Sequence, residues 1–428
     1  MAARIPVARK TPLPSTLYRT FVALGLLCVF CSTQAASPGV YDLTWRATFA
    51  PDAAHVAVEV NLAGDKLPSK VRLSVDPRRY RNFRSTDPLQ VGEQEVVWRP
   101  QGKKSRLRYE FVVNHKRSAG GYDSYKTRNW ALFRGDKLVP RARVTAAKNL
   151  QSRATLELVL PPEWTAAMPY ATDTKYRYRI DDPQRRFDRP AGWMLVGKIG
   201  VRSERVEQVT IVVAAPEGDP ARRQDTLAFI NWNLPKLLEV FPDFPERLLI
   251  VSAGDPLWRG GLSGPRSLFL HSDRPLISEN RTSSLLHELV HVAMGIRGDH
   301  ESDWIVEGLA EFYSIQTLHG SGGISQRRYE QAMEWMRNWA ARAPTLFAKN
   351  STGATTARAM LVFATVDAEI RKLTNGAASL DDVARKLAAE RGEVSLARLQ
   401  AVARQVAGKP LRSLQRDQLT RPILAPER

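Results

Sequence analysis

The residues best placed to do chemistry in this 428-residue chain form the stretch His287-Glu288-Leu289-Val290-His291. On a helix, residues four apart project from nearly one face, because each residue advances by about 100°. Both imidazoles can then converge on one metal ion, with Glu288 beside it. Catalytic zinc takes three protein ligands and keeps a fourth position open. Water held there loses a proton more readily, and an adjacent carboxylate can accept it. The spacing therefore predicts zinc ligation by His287 and His291 and a general-base role for Glu288. A third ligand is expected downstream. Glu307 and Glu311 lie one helical turn apart and share a face, so either qualifies. His300, in the loop between, is a weaker alternative. The metzincin pattern does not fit, because Met294 and Arg297 stand where it needs Gly and His.

Two helices must position these groups. One is predicted from about Thr282 to Ile296, with Asn280, Thr282 or Ser283 as cap and Gly295 and Gly298 marking its end. Leu285, Leu286, Leu289, Val290 and Val292 supply its buried face. The second is predicted from Ser302 to Leu318. Further helices are expected over 326–342, 354–373, 380–389 and 396–406. Upstream, Asp225 to Phe241 has helical spacing, with Pro235 as a kink or break. Trp193–Gly197, Val209–Val213 and Leu248–Val251 read as strands. Gly260-Gly261-Leu262 reads as a turn leading into an edge strand, Ser267–Leu270.

The section before this is β-rich. Val56, Val58, Val60 and Leu62 alternate with polar or small residues, as do Val71, Leu73 and Val75, and Leu156, Leu158 and Leu160. Period two buries one face and exposes the other, as in a β-sandwich. Asp181 to Pro190, rich in Arg, Asp and Pro, is expected as a linker or edge loop. The expected fold class is α+β. Its parts are a leader over 1–36, a β-rich domain over 37–190, a catalytic domain over 191–345 and a helical part over 346–428.

The leader is basic (Arg4, Arg9, Lys10, Arg19), then apolar from Phe21 to Cys31, then small-residue-rich around Ala35 and Ala36. This is the pattern of a cleaved signal peptide. An uncleaved anchor is the alternative, and the run is short against the roughly 20 residues of a membrane span. No later stretch is long and apolar enough to span a membrane. An exported, periplasmic or secreted protein is expected. Both cysteines, Cys28 and Cys31, fall in the leader, so the mature chain has no disulfide and no cysteine ligand. The formal charge of +19 becomes +15 once the leader's four basic residues are removed. Such a charge favours association with an anionic envelope. No motif with interleaved aromatics suggests nucleic acid as a partner.

Trp304-Ile305-Val306-Glu307-Gly308-Leu309-Ala310 resembles the second zinc helix of gluzincin peptidases, in the aminopeptidase group and the related glycyl aminopeptidase family. The resemblance implies Glu307 as third ligand and leaves Glu311 as an outer group that orients a histidine. Gly260-Gly261-Leu262, Asp367–Arg371 and Ser379–Val383 extend the likeness to the glycyl aminopeptidase family over most of the chain. The implied fold is a thermolysin-like catalytic domain between a β-sandwich and a helical C-terminal part. The implied activity is zinc-dependent hydrolysis of a peptide or protein substrate. The chain departs from the pattern in three places. Ser263-Gly264 replaces the family's Glu-His. Thr356-Ala357-Arg358-Ala359 stands where relatives carry a catalytic tyrosine followed by x-Lys/Arg-Gly. The family's C-terminal PDZ domain is not expected after the helices. Tyr313, Arg358 or His319 is the expected substitute for the tyrosine, which would stabilise an oxyanion. The rival expectation is a zinc-bearing homologue of weak or no activity that binds peptide or envelope material.

Overall fold

A computed structural model describes residues 39–118, 120–181 and 186–421. The leader, with Cys28, Cys31 and the cleavage region, lies outside the described residues, as does Arg185.

Alternating side chains build the first half. A seven-stranded sheet runs in the order Thr172–Thr174, Arg177–Ile180, Leu150–Val159, Gly39–Thr48, His55–Ala63, Lys104–Val112, Tyr80–Ser85. Tyr41, Leu43, Trp45 and Ala47 point inward from one strand, and Val56, Val58, Val60 and Leu62 from the next. They share a core with Val71, Leu73, Val96 and Trp98 of a four-stranded sheet, Arg141–Thr145, Lys70–Ser74, Glu95–Trp98, Leu89–Val91. The period-two pattern thus resolves into two sheets facing one apolar layer. Residues 186–190 are more firmly held than a linker. Phe187 and Asp188 are buried, the Tyr41 hydroxyl donates to the Arg186 carbonyl, and Trp45 Nε1 donates to the Asp188 carbonyl at 2.9 Å.

A further sheet joins Thr165–Ala167, Trp193–Gly197, Trp130–Arg134, Tyr122–Lys126 and His115–Lys116. The strand just past residue 190 therefore pairs backward with the β-rich half. Trp193, Leu195 and Leu132 pack against Val212, Leu249, Val251 and Phe269 of the next sheet.

That next sheet has the order Ile199–Val206, Val209–Pro216, Arg247–Ala253, Ser267–His271, Gly261–Gly264. Its central three strands are parallel and its outer pairings antiparallel. Helix Arg223–Val240 makes the crossover and continues through Pro235. The continuous apolar runs of the central strands follow from burial on both faces. Val212, Leu249 and Val251 face the β-rich half, while Ile211, Leu248, Ile250 and Leu268 face the helices. Gly260-Gly261-Leu262 is not simply a turn. Gly261–Gly264 is the edge strand of this sheet, and Ser267–His271 lies inside it.

The first zinc-motif helix spans Ser284–Met294. The Ser283 side chain accepts from the Leu286 N–H, and Gly295 closes the helix at φ 57°. The left-handed conformation suits glycine, which has no Cβ to clash. The second spans Asp303–Gly320, followed by Gln326–Ala340, Ala354–Leu373, Leu380–Glu390 and Leu396–Ala407. Between the two zinc-motif helices, Ile296–Gly298 pairs in parallel with Gly392–Val394. This ties the connecting loop to the C-terminal helices. No helix among the described residues is long and apolar enough to cross a membrane.

Candidate metal centre and the adjoining glutamate

The helix Ser284–Met294 places His287 and His291, both largely buried, on the face opposite fully buried Leu285, Leu286 and Leu289. The two Nε2 atoms face each other at 3.1 Å. Glu307, from the second helix, completes the group, with Oε2 3.2 Å from His287 Nε2 and Oε1 3.4 Å from His291 Nε2. Ligands about 2.05 Å from a common ion in tetrahedral array stand roughly 3.3 Å apart. The Nε2–Nε2 separation lies close to that figure, and each histidine meets a different oxygen of Glu307 at a similar distance.

Proton bookkeeping points the same way. His287 Nδ1 lies 2.8 Å from Glu311 Oε2. A carboxylate only accepts, so Nδ1 carries a hydrogen, and the ring presents an Nε2 lone pair once its second proton is lost to a metal ion. With both rings deprotonated at Nε2, the two nitrogens and the Glu307 carboxylate are three donor atoms around one point, as a cation needs. Burial opposes a charged His287, yet hydrogen bonds and charge from Glu307 and Glu311 hold its pKa well above the ordinary value. Burial likewise opposes an ionised Glu307, yet the two histidines hold its pKa well below the carboxylate range. Among the described residues these three form the one group of at least three such side chains able to hold a metal ion. The donor set, two imidazoles and a carboxylate, suits zinc.

Glu307 and Glu311 share a helix face but meet opposite sides of the same imidazole. Glu307 reaches Nε2, and Glu311 reaches Nδ1. Glu311 fixes the ring's orientation and tautomer. Gly308 allows this helix to approach its neighbour closely. A Cβ at Gly308 would lie 2.6 Å from the Ala359 Cβ on Ala354–Leu373. Asp303, one turn before Glu307, accepts from the Ser351 N–H at 2.6 Å and anchors the segment before that neighbouring helix.

Glu288 lies on the same helix as the two histidines and meets the edge strand. A Cβ on Gly261 would sit 2.6 Å from Glu288 Cγ and 2.9 Å from Oε1. Gly261 is therefore a spacer for the glutamate, and it is not among the glycines with left-handed φ.

The proposed tyrosine substitutes are committed elsewhere. Tyr313 is buried and donates to Asp381 Oδ1 at 3.1 Å. Burial, with the nearby Asp381 carboxylate, pushes its pKa well above the ordinary value. Arg358 is buried and donates to the carbonyls of Ala343, Leu419 and Arg421. It fastens the C-terminal segment. His319 stacks on Tyr329, with ring centroids 4.4 Å apart. His300 is exposed in the connecting loop and stands outside the converging group. Sequence reasoning missed Gly261 as the glutamate's neighbour, and it missed Arg134. Arg134 Nη1 donates to the Ser263 carbonyl at 3.3 Å. A contact between residues so far apart in sequence leaves no local pattern to read.

No protein-family model matches the chain, and no curated protein matches it. Solved structures do. An aminopeptidase N family protein from Idiomarina loihiensis aligns with TM-score 0.61 at 15% identity, over 82% of this chain and 70% of that one. A two-domain M1 zinc metallopeptidase bound to L-arginine aligns with TM-score 0.59 at 16% identity, over 91% and 95%. Native yeast LTA4 hydrolase aligns with TM-score 0.55 at 13% identity, over 92% and 69%.

The fold is that of the M1 zinc metallopeptidases. It agrees with the α+β class and the gluzincin-like arrangement expected from the two zinc-motif helices.

Proposed function

We propose that this chain is a zinc-dependent peptidase that acts after export. One observation carries the reading. His287, His291 and Glu307 converge on one point, while Glu288, on the same helix as the histidines, abuts an edge strand with unpaired backbone groups. Zinc held by the three side chains would supply a Lewis acid and lower the pKa of bound water. Glu288 would serve as the base that takes a proton from such a water and as the acid that returns it to the leaving amine. Glu311 holds the His287 ring in the tautomer that leaves Nε2 free. The edge strand at Gly261 offers its N–H and C=O to an extended peptide, which would then lie across Glu288. Glycine at 261 lets the glutamate and the peptide backbone come close together.

The finer features belong to the same reading. They are a thermolysin-like catalytic domain, kinship with the glycyl aminopeptidase family, a cleaved leader, and loose electrostatic retention at an anionic envelope. The test is metal content together with hydrolysis of a broad peptide library by wild type and Glu288→Gln. Wild type should carry stoichiometric zinc and cleave peptides in a chelator-sensitive way. The variant should keep zinc and lose turnover by about 10²-fold or more. Hydrolysis that survives in Glu288→Gln, or a zinc-free wild type, sinks the proposal.

A second reading is favoured by the engagement of Tyr313, Arg358 and His319 elsewhere. It is a zinc-bearing protein that binds peptide or envelope material with little turnover. Zinc retention with tight peptide binding and no cleavage across the library would select it.

A further inference from the structure

The edge strand is open over only part of its length. The His271 N–H donates to the Gly260 carbonyl at 3.1 Å, and the antiparallel register then pairs Leu262 with Phe269 and Gly264 with Ser267. Backbone groups alternate in direction along an antiparallel strand. Gly260, Leu262 and Gly264 therefore turn toward the sheet, and Gly261 and Ser263 turn away from it. The outward groups are the N–H and C=O of Gly261 and of Ser263.

One of these four is taken. Arg134, at the end of Trp130–Arg134, donates from Nη1 to the Ser263 carbonyl at 3.3 Å. Its Nε donates to Asp136 Oδ1 at 3.0 Å, and its guanidinium lies 5.8 Å from the centre of the buried Trp193 ring. The backbone of Gly192 closes in behind. A Cβ there would meet the Pro265 carbonyl oxygen at 2.4 Å, and one on Gly264 would meet Trp193 Cδ1 at 3.3 Å. Past Ser263, Gly192 and Trp193 of the β-rich half crowd one face of the strand.

We propose that Arg134 is a specificity-determining residue that ends the peptide-binding edge. Its guanidinium donates to the carbonyl that the next substrate amide would otherwise use. An added strand exchanges both bonds with Gly261 and then meets Arg134 opposite Ser263. In the antiparallel arrangement, the more stable one and the one this strand already makes with Ser267–His271, the blocked direction is the substrate's N-terminal side. The site thus accepts peptides with one or two residues on the N-terminal side of the cleaved bond and rejects longer extensions. Asp136 balances the arginine's charge, so the closed end does not repel a substrate ammonium group. This inference rests on the peptidase reading for the identity of the ligand as peptide.

The experiment is a peptide ladder that keeps one reporter C-terminal portion and adds alanines one at a time at the N-terminus. Hydrolysis is followed with wild type and Arg134→Met, and binding is followed on the zinc-loaded Glu288→Gln background with and without Arg134→Met. Methionine keeps an apolar stem over Trp193, and Arg134→Lys serves as the second variant if methionine lowers folding. Wild type should lose about tenfold in kcat/KM and in affinity at the third N-terminal residue, as an unpaired buried amide implies. Arg134→Met should bring that loss to within about threefold. A flat length profile in wild type, or an unchanged step in the variant, overturns the role of Arg134. If nothing is hydrolysed yet binding still shows the step, the peptidase reading falls while the Arg134 stop stands. If nothing binds or is cleaved, both fall.

Discussion

Replacing Gly261 with alanine inserts one methyl group between the edge strand and Glu288. The new Cβ would stand 2.6 Å from Glu288 Cγ and 2.9 Å from Oε1. Carbon atoms in comfortable contact stand about 3.5–4.0 Å apart, so one partner must move by roughly 1 Å. The strand is held by its pairing with Ser267–His271, which leaves the glutamate to give way. A displacement of about 1 Å in a catalytic group is enough for a loss near 10²-fold, or about 2.7 kcal/mol of barrier. The metal ligands are untouched by the new methyl, so zinc content should stay stoichiometric. Overpacking should lower stability by about 1–3 kcal/mol. The assay is kcat/KM on a cleaved peptide, metal content by elemental analysis and a thermal melt, with Gly264→Ala as comparison because its Cβ meets nothing nearer than 3.3 Å. A Gly261→Ala enzyme within about threefold of wild type would refute the contact as a constraint on Glu288. Loss of zinc alongside activity would refute the assignment of the effect to the glutamate alone.

Two further outcomes follow from the site. Glu311→Gln keeps an acceptor near His287 Nδ1 but removes the charge, so zinc affinity should fall about 10–100-fold in a chelator competition; unchanged affinity would remove Glu311 from the centre. Arg358→Ala withdraws the donor from three carbonyls and should cost about 2–4 kcal/mol in denaturant unfolding, with turnover per folded molecule preserved. Lost turnover at unchanged stability would restore Arg358 to the chemistry.

The metal centre was legible because helix periodicity converts spacing into direction. His287 and His291 need only that geometry, and Ser283 and Gly295 mark the helix ends with side-chain chemistry that local sequence carries. Choosing between Glu307 and Glu311 by spacing failed for a physical reason. Both stand on one face, and they differ in which nitrogen of His287 they reach, which depends on how the second helix packs at Gly308. Gly260-Gly261-Leu262 misled because glycine usually signals a turn, whereas Gly261 is glycine so that Glu288 has room. Arg358 and Tyr313 looked available because charged and phenolic groups are more often near solvent. The C-terminal segment buries the first, and the carboxylate of Asp381 engages the second. Arg134 could not be read at all, since its contact joins two sheets far apart in sequence.

The parallel pairing of Ile296–Gly298 with Gly392–Val394 gives the centre a place in time. Its ligands are close in the chain, from residue 287 to residue 307. The loop joining their helices nevertheless takes its last support from residues made almost a hundred positions later. A chain emerging from its N-terminus completes its β-rich half well before that support exists. Full ordering of the candidate centre is therefore expected to wait until residues 392–394 are in place.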